Sequence, residues 1–380
     1  MKFETIAVHS GGETDHDTGA IAPPIHLSTT FLRGEDGQPV AGFGYVREES
    51  PTQERLETAL AAIDGGAAAL AFASGMAAGA GLIQALRRGS HVLLPADGYY
   101  TYRALAAEHF ERWGLTFDIV AMHDLAAIRE ALRTETHLVW MESPTNPLMQ
   151  ISDIAAVAEL THQSGAQLVV DGTFATPALQ QPLLLGADVV LHSTTKYLGG
   201  HSDVQGGSLA FRERGALFEA ANRIRTVTGG VASPFNSWLV LRGIRSLSAR
   251  MRVHCENAAA VAAWLSRHRA VDVVHYPGLT SHPGHEIARK QMSAFGGMLS
   301  FQVKGGREEA LAVASRTKLF TPATSLGGVE SLIEHRATSE GPSSTTPVNL
   351  LRLSVGLEHA DDLIADLEGA LRCVSVMPRC

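Results

Sequence analysis

Short apolar segments alternate with helical patterns between residues 67 and 211, and this alternation constrains the fold more than any other feature. Helical patterns occur at 76–86, 124–132 and 154–163. The apolar segments predict strands at 68–73, 91–94, 117–120, 137–141, 167–170, 188–191 and 208–211. Strands that alternate with helices are typical of a mostly parallel sheet covered by helices on both faces. The prediction is therefore an α/β protein.

The chain is long enough for more than one domain. Its 380 residues exceed a typical single hydrophobic core. Residues 1–55 are rich in Gly, Pro, Ser and Thr and lack a clear period, which predicts an extended arm that contacts a neighbouring subunit. We expect a ligand-binding domain at 56–233. A second domain at 234–380 would begin with a long helical stretch at 235–268 and continue as a smaller α+β unit.

Composition excludes several classes of function. The formal net charge of −8 comes without a basic run, so nucleic acid is not an expected partner. No apolar segment reaches the length of a membrane span, and the first residues lack the apolar core of a signal peptide. The three cysteines, Cys255, Cys373 and Cys380, do not provide a disulfide framework. A cytoplasmic protein is expected.

Two charged residues follow neighbouring buried strands of the predicted sheet. Asp171 ends the segment Gln-Leu-Val-Val-Asp, and Lys196 lies just after the next strand, beside Ser193 and Thr195. Open α/β sheets bind ligands at the carboxyl ends of their strands. A lysine for the aldehyde, hydroxyls for the phosphate and an aspartate for the pyridine nitrogen together indicate pyridoxal phosphate. The alternative is a solvated lysine and a helix-capping aspartate.

Two further segments can complete such a site. Gly75 and Met76 begin a helix of small residues, whose free N–H groups could bind the phosphate, although ordinary packing of helix on sheet is the alternative. Tyr99 follows the strand at 91–94 and could stack on the cofactor ring, unless the tyrosines form a subunit contact.

Three other polar residues deserve a separate interpretation that does not depend on the cofactor. Arg352 lies inside an apolar strand, where its charge needs a partner: a substrate carboxylate or an internal salt bridge. His282 and His285 flank a Pro-Gly turn and have no nearby cluster of carboxylates or cysteines, so a metal site is not expected.

With these motifs assembled, the chain resembles the Cys/Met-metabolism family of pyridoxal-phosphate enzymes. The family includes cystathionine γ-synthase, cystathionine γ- and β-lyases, methionine γ-lyase and homoserine-ester sulfhydrylases. The resemblance extends over nearly the whole chain. It is carried by segments that include Tyr45-Val46-Arg47, Ser74-Gly75-Met76-Ala77-Ala78, Glu142-Ser143-Pro144-Thr145-Asn146-Pro147, Ser325-Leu326-Gly327-Gly328 and Arg352-Leu353-Ser354.

The resemblance implies a fold-type-I transferase architecture and a homotetramer built from two catalytic dimers. Tyr45 and Arg47 look like the pair that reaches the phosphate in the neighbouring subunit. Tyr99 looks like the stacking tyrosine that also assists Lys196 in proton transfer, with Tyr100 as the alternative in a shortened loop. The family pattern adds Thr173 to the cofactor site and assigns the substrate carboxylate to Asn146, Ser325 and Arg352.

The activity that the resemblance implies is transsulfuration at the γ-carbon, by a cystathionine γ-lyase or γ-synthase. Methionine γ-lyase, cystathionine β-lyase and O-acyl-homoserine sulfhydrylase are the alternatives, followed by a non-catalytic binding protein on the same fold. Three positions depart from the family pattern. Gly172 stands where many members have Asn, Thr324 where γ-synthases and γ-lyases have Glu, and Arg336 where many have Pro.

Overall fold

A seven-stranded sheet forms the centre of the molecule. The structure, a computed structural model, describes residues 1–342 and 344–372. All seven predicted strands are present, and each end lies within one residue of its predicted position. The strands are β1 (Ala68–Phe72), β2 (His91–Pro95), β3 (Thr116–Val120), β4 (Thr136–Glu142), β5 (Gln167–Asp171), β6 (Val189–His192) and β7 (Gly207–Phe211).

The central sheet has the strand order β1-β7-β6-β5-β4-β2-β3. Five adjacent strands run parallel, whereas β7 pairs antiparallel with both β1 and β6. The chain passes from β6 to β7 through a loop without a crossover helix, and a direct return of this kind allows antiparallel pairing. This loop carries Lys196. The sheet is mostly parallel, as predicted.

Helices cover both faces of this sheet. One face packs against α3, α4 and α8 through residues that include Leu82, Phe110 and Phe218. The other packs against α2, α6 and the two helices that follow α8 through residues that include Leu60 and Val157. The helices along the chain are α1 (Phe3–His9), α2 (Pro51–Asp64), α3 (Gly75–Gln84), α4 (Thr101–Trp113), α5 (Leu125–Ala131), α6 (Ile154–Gln163), α7 (Thr176–Leu179), α8 (Ala216–Thr228), α9 (Pro234–Ile244), α10 (Leu247–Leu265), α11 (His285–Gln291), α12 (Arg307–Ala314), α13 (Arg336–Glu340) and α14 (Ala360–Leu371), with a 3₁₀ turn at Pro182–Leu185.

A smaller sheet follows in the C-terminal part, as expected for an α+β unit. Its order is β10-β11-β12-β9-β8, and all neighbours are antiparallel except β10 and β11. Phe301, Leu351 and Leu367 belong to a separate hydrophobic core between this sheet and its helices. The strands are β8 (Val271–His275), β9 (Met298–Val303), β10 (Thr321–Pro322), β11 (Leu332–His335) and β12 (Leu350–Ser354).

The helices differ from the sequence-based expectation in several places. The helical stretch at 235–268 consists of two helices, α9 and α10, separated at Arg245 and Ser246. Residues 1–55 are not entirely extended, because α1 lies within them and α2 begins at Pro51. The Ser50 hydroxyl accepts a hydrogen bond from the Gln53 N–H at 3.3 Å, and proline is favoured at a first helical position. Bounds were not predicted for several of the helices, including α4 and α8.

The described residues contain neither a candidate membrane span nor a candidate metal site. None of their helices is long and apolar enough to cross a membrane. None of their His, Cys, Asp and Glu side chains form a group of three that could hold a metal ion. Cys255 is buried and free, whereas Cys373 and Cys380 lie outside the described residues. The boundaries at 55 and 233 stay a prediction.

Candidate active site

A cavity of about 260 Å³ lies between the carboxyl ends of the parallel strands and the C-terminal sheet. It brings together residues that are up to 278 positions apart in the sequence, from Ser74 to Arg352. Eleven of the thirteen predicted site residues line it: Gly75, Met76, Tyr99, Asn146, Asp171, Thr173, Ser193, Thr195, Lys196, Ser325 and Arg352. Tyr45 and Arg47 do not.

Asp171 is the last residue of β5, and its side chain is held from two sides. The Thr173 N–H donates to Asp171 Oδ1 at 3.0 Å. His192, at the end of β6, lies close enough to interact electrostatically with Asp171. Burial raises the pKa of Asp171, and both Thr173 and His192 act against this rise. A cationic ring nitrogen beside Asp171 would favour the ionised carboxylate further.

His192 is itself supported by a second carboxylate that the sequence did not indicate. Its Nε2 lies 3.0 Å from Asp64 Oδ1, and both side chains are buried. Burial alone lowers the pKa of His192, but Asp64 outweighs it and the net direction is upward. A Cβ at Gly172 would lie 2.9 Å from His192 Cε1. The glycine at this position therefore leaves room for the imidazole next to Asp171.

Glu142 is another site residue that sequence reasoning missed. It ends β4, pairs in register with Asp171, and accepts the Tyr99 N–H at 2.8 Å through Oε2. Burial, followed by the Asp171 charge, raises the pKa of Glu142 well above its usual value. Both causes favour the neutral form of Glu142, and its contact with the N–H of Tyr99 positions the backbone of that residue. The sequence did contain a signal for Glu142, because it is a carboxylate at the end of a buried strand. The same pattern identified Asp171.

The beginning of α3 meets the segment after β6 at one wall of the cavity. The Ser74 hydroxyl caps α3 by accepting the Ala77 N–H at 3.0 Å. A Cβ at Gly75 would lie 3.0 Å from the Ser193 Cβ, so glycine permits the close approach of the two segments. The N–H groups of α3 and the hydroxyls of Ser193 and Thr195 thus face one region of the cavity. This is a set of donors suited to a phosphate.

Lys196 lies between this wall and the C-terminal sheet. Its Nζ donates a hydrogen bond to Ser325 Oγ at 2.8 Å. The pKa of Lys196 is lowered to about 8: burial is the largest cause, the guanidinium groups of Arg352 and Arg336 act in the same direction, and Glu334 opposes them. A lysine with such a pKa has a large uncharged fraction near neutral pH, as a nucleophilic amine requires.

Arg352, in β12, has the internal salt bridge that was one of the two alternatives, and it also lines the cavity. It forms a buried ion pair with Glu334 of β11. It also donates to Asn146 Oδ1 at 2.9 Å and to the Ser325 carbonyl oxygen at 3.0 Å. Burial by itself raises the pKa of Glu334, but Arg352 and Arg336 outweigh it and hold this pKa low. Ser325 has φ of 107°, a strained conformation for a non-glycine residue.

Two residues that depart from the family pattern belong to the same wall. Thr324 and Arg336 both line the cavity. The Thr324 hydroxyl donates to Glu334 Oε1 at 3.0 Å, and Arg336 Nη1 donates to the same oxygen at 3.2 Å. Glu334 therefore connects Thr324, Arg336 and Arg352. The sequence left open whether Arg336 enters the pocket, and the structure places it there.

Tyr99 and Tyr100, just before α4, and Tyr102, in its first turn, occupy different environments. Tyr99 lines the cavity and is 37% exposed, whereas Tyr100 is not among the lining residues. Tyr102 is buried, with its ring centroid 4.4 Å from that of Trp140, and its hydroxyl donates to the Gly75 carbonyl at 2.9 Å. Of the two alternatives for a stacking residue, Tyr99 is the one at the cavity.

Tyr45 and Arg47 lie away from this cavity within one chain. Arg47 Nη1 donates to the Thr226 carbonyl at 2.7 Å, and the guanidinium carbon lies 5.5 Å from the centroid of the Tyr45 ring. Tyr45 is 44% exposed. The two side chains thus form a pair at the surface. His282 and His285 are also elsewhere, where Nδ1 of His282 accepts the Gly284 N–H and Nδ1 of His285 contacts the Pro277 carbonyl.

These residues fit pyridoxal phosphate. The close approach at Gly75 leaves the phosphate donors of α3 open to the cavity, a buried carboxylate ends β5, and a lysine amine with a lowered pKa lies between them. The fold and the donor set are those of a pyridoxal-phosphate-dependent enzyme of the α/β class.

Comparison with known proteins identifies the family. The model of the Cys/Met metabolism PLP-dependent enzyme family matches residues 4–372, and the chain belongs to this family. Cystathionine gamma-synthase of Mycobacterium tuberculosis is 48% identical over 97% of this chain and 96% of its own. Cystathionine beta-lyase of Coxiella burnetii is 42% identical over 97% of each. The solved structure of cystathionine gamma-lyase from Lactobacillus plantarum, complexed with L-serine, has a TM-score of 0.93 at 37% identity and covers 99% of this chain and 100% of its own.

Proposed function

We propose that the protein is a transsulfuration enzyme that acts at the γ-carbon of an activated homoserine, with γ-replacement by cysteine to form cystathionine as its principal reaction. One observation carries the proposal: the Lys196 amine lies 2.8 Å from Ser325 Oγ, in the cavity that also contains Arg352 and Asp171. An amine between a carboxylate-binding arginine and an acidic group for the ring nitrogen suits an amino-acid substrate held over pyridoxal phosphate. Cystathionine γ-lyase activity is the second candidate.

The cofactor, when bound, supplies an electron sink for negative charge that develops at the substrate carbon. Asp171 would pair with the ring nitrogen, and Thr173 orients Asp171 through its N–H. The start of α3 at Gly75 and Met76, with Ser193 and Thr195, would hold the phosphate. Tyr99 would stack on the ring.

The substrate would be oriented by the opposite wall of the cavity. Arg352, with Asn146 and Ser325, would bind the α-carboxylate through charge-assisted hydrogen bonds. This places the α-carbon beside Lys196, which would attach the cofactor and then move protons as a free amine. Tyr99 would assist the proton transfer.

The choice of γ-replacement rests on the relatives. The γ-synthase relative shares 48% identity across nearly the whole of both chains, compared with 42% for the β-lyase and 37% for the γ-lyase structure. The structure adds that Thr324 is committed to a hydrogen bond with Glu334. The neutral hydroxyl oxygen holds the distal ammonium of cystathionine more weakly than a carboxylate would, which disfavours cleavage of cystathionine as the main reaction.

We further propose a homotetramer of two catalytic dimers, in which Tyr45 and Arg47 reach the phosphate in the neighbouring subunit. The arm supports this, because it carries large apolar side chains that a single chain leaves open to solvent. Ile21, Leu27 and Leu32 are 72%, 68% and 77% exposed. Such a concentration of exposed large apolar side chains in one segment favours a contact with another chain. The proposed location is the cytoplasm, and no nucleic acid partner is proposed.

Separate product assays on the purified holoenzyme test the function. We expect cystathionine when an O-acyl- or O-phospho-homoserine is supplied with cysteine, and slower release of cysteine and 2-oxobutanoate from cystathionine alone. Lys196→Ala should abolish both activities, whereas Lys290→Ala, a change at an exposed lysine of α11, should alter neither. Cleavage of cystathionine without any synthesis would contradict γ-replacement, and no turnover of any of these amino acids would contradict the proposed function.

A further inference from the structure

The substrate cavity contains a second buried guanidinium that the binding of an α-carboxylate does not require. Arg336, the first residue of α13, is 2% exposed and lines the cavity together with Arg352. Its Nη1 donates to Glu334 Oε1 at 3.2 Å, and its Nη2 donates to Glu340 Oε1 at 3.1 Å. Within the described part of the chain, neither carboxylate is among the residues that line the cavity. The cavity wall is therefore cationic at two places.

The hydrogen bonds of Arg336 are incomplete. A guanidinium has five N–H groups in a fixed plane, and the two ion pairs of Arg336 occupy two of them. Among the described residues, Nε is buried and has no acceptor. Besides Nε, each of the two terminal nitrogens keeps one further N–H group beyond its ion pair, which gives Arg336 donors for a ligand oxygen. Arg352, by contrast, already has Glu334, Asn146 and Ser325 as partners.

The position of Arg336 relative to Arg352 indicates which part of a substrate it meets. Both arginines bond to the carboxylate of Glu334, one through each oxygen, so the two guanidinium groups are separated by a single carboxylate. An amino acid whose α-carboxylate is at Arg352 extends its side chain along the same cavity. Thr324, which also lines this wall, presents a neutral hydroxyl to that side chain. The wall thus favours a negative group on the substrate and disfavours a positive one.

We propose that Arg336 determines substrate specificity by binding an anionic group, a carboxylate or a phosphate, at the end of the substrate distant from the α-carbon. The inference rests on the proposed function. In the proposed reaction two groups can supply this anion. One is the acyl or phosphoryl leaving group of an activated homoserine, and the other is the carboxylate of the incoming thiol. A guanidinium binds either in a bidentate manner, and burial strengthens the interaction.

The test compares charged and neutral versions of each reactant with wild-type holoenzyme, Arg336→Gln and Arg336→Lys. One arm uses O-succinyl-, O-phospho- and O-acetyl-homoserine with cysteine. The other uses cysteine and the uncharged thiol 2-mercaptoethanol with O-acetyl-homoserine. The readout is the ratio of kcat/KM for the anionic reactant to that for the neutral one. Arg289→Gln, a change at an exposed arginine of α11, is the matched control.

We expect Arg336→Gln to lower this ratio by about 10- to 100-fold in the arm that contains the anion, as for loss of one buried charged hydrogen bond. Arg336→Lys should lower the same ratio less, because it keeps the charge and loses the planar pair of donors. The control should leave the ratio unchanged. If Arg336→Gln does not fold, the lysine variant carries the comparison alone.

An equal loss for charged and neutral reactants, or no change in either ratio, would overturn the proposal and leave Arg336 with a structural role at α13. Failure of the proposed function would look different, because the wild type would then synthesise nothing from any activated homoserine. In that case the same ratio is measured for cleavage of cystathionine, which has a distal carboxylate, and of methionine, which has none.

Discussion

The titration of Lys196 in the cofactor-free protein is the prediction that follows most directly from the charges around the cavity. Its pKa falls from 10.5 to about 8, with burial as the largest cause and the charge of Arg352 as the second. Glu334 acts in the opposite direction. We therefore expect two substitutions to shift this pKa with opposite signs: Arg352→Gln upward and Glu334→Gln further downward.

The size of the effect follows from the shift. The lowering of the Lys196 pKa from 10.5 to about 8 corresponds to a free energy of about 3 kcal/mol, at roughly 1.4 kcal/mol per pKa unit. About one Lys196 in ten would then be uncharged at pH 7, compared with fewer than about one in a thousand for an ordinary lysine. Because the folded pKa is below the unfolded one, the unfolded chain binds more protons between about pH 8 and 10.5. Raising the pH through this window therefore increases the free energy of unfolding, by up to about 3 kcal/mol.

Competitive acetylation measures the pKa directly. The cofactor-free protein is labelled at a series of pH values, and the peptide that contains Lys196 is quantified against the peptide that contains exposed Lys290. We expect a labelling midpoint near pH 8 for Lys196 in the wild type. Lys196→Met should remove the rise in unfolding free energy between about pH 8 and 10.5, measured at fixed protein concentration.

Two results would refute this reasoning. A wild-type midpoint above about pH 10 would mean that burial and the arginines do not act on Lys196 as the structure indicates. A midpoint that rises in Glu334→Gln would show that the sign of the local field is wrong. Arg336→Gln provides a further check, because loss of this cation should raise the midpoint.

Three other predictions concern the cofactor and the assembly. Lys196→Ala should prevent covalent attachment of pyridoxal phosphate and lower turnover by several orders of magnitude. Mass spectrometry after borohydride reduction should then detect no adduct, and an adduct on another lysine would contradict the assignment. Arg47→Ala mixed with Lys196→Ala should regain part of the activity if subunits share active sites, and full activity in a stable monomer would exclude sharing. His192→Asn should weaken the binding of pyridoxal phosphate, measured by equilibrium dialysis, because Asp171 loses the electrostatic interaction with His192. Asp64→Asn should act in the same direction. Unchanged affinity in both variants would show that His192 does not support Asp171.

Much of the site could be read from the sequence because its residues stand next to strong local patterns. The strands are short apolar segments between turns, a pattern of a few residues that does not depend on the rest of the chain. Asp171 and Lys196 follow two such strands, and parallel strands place their carboxyl ends at one edge of a sheet. Helix α8 was missed although Phe218, Ala221 and Arg225 are buried at helical spacing, because a charged residue interrupts its apolar face.

The tertiary structure decided the contacts between residues that are far apart in the sequence. Asp64 and His192 are separated by 128 positions, and Asn146 and Arg352 by 206. No local period relates such residues, since they meet only after the sheets and helices pack. The partners of Arg352, the raised pKa of Glu142 and the entry of Arg336 into the cavity depend on burial, which the whole fold determines. A sequence indicates which residues carry charge, but the packed structure alone sets the distance and the dielectric surroundings through which those charges act.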